Sequence, residues 1–271
     1  MDIIIVNLYV FIVGIVFGSF FNVCIFRIPE GISISRPPSH CMSCNTRLKP
    51  IDLIPVLSYL MSGRKCRYCY EKISSRYAIV ELITGILFLT VFILYGISTS
   101  TIYYLVLVSL LIIITFIDID HFIIPDKILI FGAIFSIIFN LLFKEIPIKD
   151  SIIGVFICGG SVWIIVLLIE FVIKKECMGG GDIKLFAILG LYMGVKNGLL
   201  TALLSIYVGA VYGICVIITS RIKGKEYNSV IPYGPFISIG ALITILCGKQ
   251  LLEFYFSMII QMIVKLNKVL I

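Results

Sequence analysis

Long uninterrupted apolar runs set the main constraint on what this chain can fold into. A bilayer core is about 30 Å thick and a helix rises ~1.5 Å per residue, so a crossing takes roughly 20 apolar residues. Residues 3–26, 78–97, 101–117, 128–143, 151–173, 183–195, 198–219 and 231–247 all read as such segments, the shortest needing shelter from protein or water. Backbone in lipid must satisfy its own hydrogen bonds, so each is predicted to be helical. The expectation is an all-α polytopic membrane bundle of about eight transmembrane helices. A last segment, 251–268, is apolar but carries Glu253, Gln261, Lys265 and Lys268, which suits either a ninth crossing or an interfacial helix. With 60% hydrophobic residues and 14% charged, the chain has too much apolar surface for one soluble core. Segment 3–26 follows Asp2 without a basic preamble and is too long for the apolar core of a cleaved leader, so it reads as a retained helix.

Between the first two spans lies one long polar stretch, 27–77. It holds Arg27, Arg36, Arg47, Lys49, Arg64, Lys65, Arg67, Lys72 and Arg76 against Glu30, Asp52 and Glu71. A net charge of +7 can signal a nucleic-acid partner, but here the basic residues are scattered in short loops between apolar runs. That is the pattern of the positive-inside rule, which puts 27–77 at the cytoplasmic face, beside membrane lipid, with no nucleic acid implied. Alternation then puts turns near Gly96–Ser100 and Lys144–Asp150 outside, and loops 118–127, 174–182 and 220–230 inside. Arg221, Lys223 and Lys225 in the last of these agree. No repeat of fixed period is present, which weighs against solenoids and simple repeat-built transporters.

Within the polar stretch, Cys41-x-x-Cys44 and Cys66-x-x-Cys69 are two tight pairs with about 21 residues between them. A CxxC turn aims two thiolates at one metal, and two such turns close a tetrahedral shell. A closed shell of four cysteines implies a structural zinc, not a catalytic one. Arg64, Lys65 and Arg67 favour the thiolate form electrostatically. Disulfide-bonded or inert cysteines are the weaker reading at the reducing side of a membrane. The remaining cysteines, Cys24, Cys158, Cys177, Cys215 and Cys247, are scattered in or beside apolar segments and read as small packing residues.

Ionisable groups beside membrane spans cost roughly 3 kcal/mol or more at depth, which makes them functional candidates. Asp118 ends the span 101–117, and Asp182 follows Gly179-Gly180-Gly181. Both fall at the cytoplasmic edge. Glycines there remove bulk and permit positive φ, so the backbone can approach a neighbouring helix or an extended peptide. Two carboxylates sharing one proton are the equipment of an aspartyl protease: the charged one activates water and the protonated one polarises the scissile carbonyl. Asp120 and Asp126 are rivals in the same loop. Alternatively Asp182 caps a helix starting at Ile183, Asp126 caps the span 128–143, and Lys184 either supports a carboxylate or snorkels. The residues alone leave four carboxylates open.

Taken in order, Gly18-Ser-Phe-Phe-Asn22, Arg27-Ile-Pro29, Ser39-His-Cys41, Leu53-Ile-Pro55, Ser58-Tyr59-Leu60, Ser75-Arg76-Tyr77 and Glu81-Leu resemble the N-terminal half of bacterial type IV prepilin leader peptidases. Asp118-Ile-Asp120-His121, Ile124-Pro125-Asp126, Gly179-Gly-Gly181-Asp182 and Pro232-Tyr-Gly234-Pro235-Phe236 resemble the peptidase half of that family, a group of GxGD membrane aspartyl proteases. The likeness covers nearly everything from Gly14 to about Leu242. It implies that the first catalytic aspartate stands seven positions before the Ile-Pro proline, which selects Asp118 over Asp120, and that the second is Asp182.

The same resemblance implies an endopeptidase that removes the basic leader of prepilins and pseudopilins at the cytoplasmic face of a bacterial membrane. It also implies, through the half that carries the four-cysteine loop, N-methylation of the new N-terminus with S-adenosylmethionine. The expected division is 1–97 for the methylation-linked half, 98–248 for the peptidase and 249–271 for an apolar tail. No glycine-rich dinucleotide fingerprint marks a cofactor pocket. A lone methyltransferase or an ion-conducting scaffold are the competing classes, and neither accounts for the glycine approach to Asp182.

Overall fold

The structure, a computed structural model, describes residues 3–175, 178–223 and 231–270, with 259–270 as backbone only. Cys177 and most of loop 220–230, including Lys225, lie outside the described residues. The described chain is helical apart from loops and two isolated β-bridges. Helices α1 (Ile3–Arg27), α3 (Arg76–Tyr95), α4 (Thr99–His121) and α5 (Asp126–Phe143) are single apolar rods; the short α2 (Leu57–Met61) lies in the polar loop. A further stretch, Ile148–Ile173, runs through α6 (Ile148–Gly154), a π-helical turn and α7 (Gly160–Ile173). Helix α8 spans Gly180–Lys223 and α9 spans Gly234–Leu270.

Seven of these stretches are long and apolar enough to cross a membrane. The 44-residue α8 would extend about 66 Å if straight, twice a bilayer core. It is broken at Gly194, whose φ of 70° and ψ of −175° lie outside helical space and suit glycine alone. It therefore reads as two crossings, which gives eight spans among the described residues of a multi-pass membrane protein. Segment 251–268 is no separate crossing, because it continues α9 without a break. Rows of exposed Ile, Leu and Phe, among them Ile165, Leu168 and Phe171 on α7, cover the outer faces as a lipid-solvated surface requires.

Helix α4 is central and the most enclosed, with Tyr103, Leu107, Leu111, Ile114 and Ile117 fully buried; it packs on α1, α3, α5 and α9. Gly14 and Gly18 let α1 lie directly against α3: a Cβ on Gly18 would stand 2.7 Å from the Glu81 Cα. Small residues four apart permit this backbone approach in lipid, where apolar side chains gain little by meeting each other.

Contacts between helix ends define two edges. At one, Glu145 accepts hydrogen bonds from Thr99 and Ser100, and Asp150 from the Val195 N–H, which puts the 96–98 turn, the 144–147 turn and the Gly194 break together. At the other, Arg76 at the start of α3 pairs with Asp120 at the end of α4, which puts the cysteine loop on the same side as the 122–125 turn. A network absent from the sequence reading stitches the middle: Tyr103 Oη lies 2.6 Å from Ser136 Oγ, and Asn140 Nδ2 donates to Tyr103 Oη at 3.0 Å. These groups are fully enclosed and satisfy one another, which a lipid-embedded core demands.

Candidate active site

Asp118 occupies the last turn of α4 and is 5% exposed. The helix stops three residues later because Phe122 turns left-handed (φ 55°), with its N–H on the Asp118 carbonyl. The Asp118 carboxylate accepts a 2.8 Å hydrogen bond from the Gly234 N–H, at the first residue of α9. Any side chain at 234 would collide with it: a Cβ there would lie 2.8 Å from Oδ2. A helix N-terminus thus directs its free N–H at a carboxylate, a favourable arrangement for negative charge.

Asp182 lies in the first turn of α8 and is 9% exposed. Here the structure corrects the capping alternative, because α8 begins at Gly180 and not at Ile183, so Asp182 is inside the helix. The backbone of Gly179 hydrogen-bonds its carboxylate, and the charge of Asp118 acts on it. The glycines work differently from expectation. None of Gly179, Gly180 and Gly181 has positive φ. Gly181 alone makes a close approach, and to the 122–125 turn rather than to a helix: a Cβ there would stand 2.9 Å from the Ile124 Cβ. That contact seats the start of α8 beside the end of α4.

The rival carboxylates are engaged elsewhere. Asp120 makes a short ion pair with Arg76, whose guanidinium also donates to the Phe116 carbonyl at 2.9 Å. Asp126 begins α5 with no side-chain cap hydrogen bond and pairs with Lys184 at 2.7 Å, both side chains more than half exposed. So Asp126 is no cap, and Lys184 supports a carboxylate other than the buried two. Tyr233 is a neighbour the sequence reading did not single out: half-buried, it feels the charge of Asp182. Its signal was the Pro232-Tyr-Gly234-Pro235 run, which marks a turn feeding a helix.

The four loop cysteines converge. Their Sγ atoms all lie within 4.8 Å of one another, and Cys41 and Cys69 are 3.9 Å apart. Tetrahedral Zn–S bonds of about 2.3 Å require sulfurs about 3.8 Å apart, so the donor set fits zinc. Two copies of one turn build it. Cys41 N–H donates to Thr46 and Cys66 N–H to Glu71; Leu48 N–H donates to Ser39 and Ile73 N–H to Arg64. Asn45 and Tyr70 take the same left-handed φ, and the bridges His40–Arg47 and Lys65–Lys72 close the two turns identically.

Inside each turn, N–H groups point at sulfur. Those of Cys44 and Ser43 hold the Cys41 thiol below its usual range, and those of Cys69 and Tyr68 do the same for Cys66. The Thr46 side chain and backbone lower Cys44. Cys69 accepts from Glu71, yet desolvation and the other three sulfurs push it up to about 12. The charge that four thiolates would gather here is what a divalent cation neutralises. The eight cysteines among the described residues are all free of disulfides.

Two family models match the chain. The bacterial peptidase A24 N-terminal domain covers residues 12–95, and the type IV leader peptidase family covers 105–214. The chain is 35% identical over 248 residues to the prepilin leader peptidase/N-methyltransferase of Bacillus subtilis (strain 168), spanning 92% of this chain and 97% of that one. It is 30% identical to the protein of the same name from Pseudomonas putida, over 89% of this chain and 90% of that relative. A type 4 prepilin-like proteins leader peptide-processing enzyme from Escherichia coli is also 30% identical, over 86% and 90%. No solved structure matches.

Proposed function

The chain belongs to the type IV leader peptidase family, and from that premise we propose that it cleaves the leader from prepilins with Asp118 and Asp182 as the catalytic pair. The observation that supports this reading is that two buried carboxylates sit at helix ends on one membrane edge, with the charge of Asp118 acting on Asp182. Such a pair holds one proton between them: the ionised member draws a proton from water as it attacks, and the protonated member donates to the carbonyl oxygen. Gly181 and Gly234 let the starts of α8 and α9 close onto the end of α4, which brings both carboxylates to one place.

The basic loops around the site support a cytoplasmic placement of this edge. A substrate whose apolar segment stays in lipid then presents the bond ahead of it at the depth of Asp118 and Asp182. We assign residues 1–97 to a second activity, N-methylation of the new N-terminus, in keeping with the names of the relatives and the separate match over 12–95. Zinc would be held by Cys41, Cys44, Cys66 and Cys69 and would order the loop; S-adenosylmethionine would supply the methyl group. Pseudopilins are a second substrate class, and the apolar tail 249–271 extends the last helix.

The test is leader removal from a prepilin in membranes, with each aspartate changed to asparagine. Loss of cleavage in both Asp118→Asn and Asp182→Asn, with the protein still inserted, is the expected result. Full cleavage by Asp182→Asn would sink the assignment.

A further inference from the structure

A cavity of about 420 Å³ opens between α1, α3 and the cysteine loop, well within the ~300–1,000 Å³ range of ligand sites. One of its walls is Glu81, a carboxylate only 7% exposed on a membrane helix. Its Oε2 accepts a 2.7 Å hydrogen bond from the Val56 N–H, and the Ser19 hydroxyl is its other partner. Val56 holds that N–H in place at a φ of 61°, a conformation β-branched residues rarely adopt. Among the described residues no cation pairs with Glu81.

The charged groups nearby are committed or come from the loop. Arg27 on α1 spends its Nη1 on the Ser33 and Ile34 carbonyls. On the loop, Asp52 is taken by Arg67 and Tyr68; His40, Lys65, Glu71 and Lys72 are the other charged or imidazole groups of the lining, with the Cys41 and Cys66 thiols and the Tyr59 and Tyr77 phenols. A buried carboxylate with hydrogen-bond donors but no countercharge, facing a cavity, is a seat for a cation.

Depth narrows which cation. Arg76 at the start of α3 binds Asp120 and the Phe116 carbonyl, residues that flank Asp118 on α4. Glu81 is five residues further into α3, about 7.5 Å along the helix. It therefore lies about 7.5 Å further into the membrane than the level of Asp118, less than two helical turns from where the aspartate pair would release a new N-terminus. Resting on the methyltransferase reading above, we infer that Glu81 binds the N-terminal ammonium of the cleaved substrate and takes its proton, with the methyl donor in the adjoining cavity.

The step balances. The ammonium gives one proton to the Glu81 carboxylate, and the freed nitrogen lone pair forms the N–C bond to the donor's methyl carbon. The C–S bond breaks and its electron pair stays on sulfur. The products are a methylammonium terminus and S-adenosylhomocysteine, and Glu81 returns its proton to solvent on the exposed loop side, past Met42 and Tyr68.

The experiment uses the full-length protein in detergent, following cleavage and methylation of one prepilin separately by mass spectrometry. Glu81→Gln is expected to lower methylation about 100-fold at pH 7 while cleavage stays within about twofold. Its methylation should recover roughly six- to tenfold between pH 7 and 9, as the amine (ordinary pKa ~7.7–8.0) deprotonates unaided; a merely structural defect gives no such recovery. Ser58→Trp fills the cavity from the loop and leaves Glu81 in place. It should weaken S-adenosylhomocysteine binding by calorimetry at least tenfold, whereas Glu81→Gln should leave that binding unchanged. Normal methylation by Glu81→Gln, joint loss of both activities, or unaltered binding in Ser58→Trp would each overturn the inference. An unmodified enzyme that cleaves but never methylates when given the donor would instead overturn the methyltransferase reading beneath it.

Discussion

Asp118 takes a backbone hydrogen bond from Gly234, 116 positions along the chain, whereas Cys41 meets Cys69 across only 28. The carboxylate pair draws on the ends of α4, α8 and α9 and exists only when the bundle is complete. The cysteine cluster is two copies of one local turn, each aiming N–H groups at its own sulfurs, and the zinc proposed for it would order it with little help from the bundle. Both lie at one edge, linked through Arg76, yet they inherit their geometry from different sources. Damage to one should therefore leave the other largely intact.

The largest expected effect falls on the pair. Asp118→Asn or Asp182→Asn should lower leader cleavage by about 10³-fold or more, since each removes half of a shared-proton device. Bound zinc, measured by elemental analysis of the purified protein, should not change. Loss of metal in either variant would show that the two assemblies are one. The reciprocal experiment is chelation, or Cys66→Ser: methylation should fall about 100-fold or more as the loop loses its organising ion, with cleavage reduced less than about fivefold. Equal loss of both activities would break the comparison from the other side.

A finer probe is Gly234→Ala. The new Cβ would meet Asp118 Oδ2 at 2.8 Å and push on its neighbours at 3.2 and 3.3 Å, so either the carboxylate or the start of α9 must shift. Displacement of a catalytic group by about 1 Å can cost ~10²-fold, and cleavage should fall roughly tenfold to a hundredfold. Methylation of a pre-cleaved substrate should hold. An unchanged cleavage rate would mean that Asp118 does not need its Gly234 hydrogen bond.

The two assemblies also differed in how far they could be read from sequence. The spans were legible because apolar length alone determines them, and the cysteine set because ligand spacing is local. The break at Gly194 showed only as a gap between two apolar runs, since a single positive φ leaves no periodic trace. The buried Tyr103–Ser136–Asn140 network was invisible, because its members sit singly in apolar stretches and meet only after packing. For the carboxylates, residue chemistry kept Asp118, Asp120, Asp126 and Asp182 in play, with the glycine run already singling out Asp182, and family spacing alone separated Asp118 from Asp120. What distinguishes them physically is non-local: burial against Gly234 for one, Arg76 for the other.

That distinction yields the smallest expected effect and the sharpest discrimination. Asp120 and Arg76 are each about a third exposed on their side chains, and such pairs contribute roughly 0–1 kcal/mol. Arg76 keeps its hydrogen bond to the Phe116 carbonyl and its place 5.2 Å from the Phe116 ring without Asp120, so α3 and α4 should remain docked in Asp120→Asn. The Lys184–Asp126 pair is more exposed still, and Lys184→Ala removes only a solvent-screened contact. Cleavage by either variant should stay within about threefold of the unmodified enzyme, and thermal unfolding in detergent should move little. Cleavage abolished by Asp120→Asn but preserved in Asp118→Asn would transfer the catalytic role across two positions. The hydrogen bond from Gly234 would then serve only to hold α9 against α4.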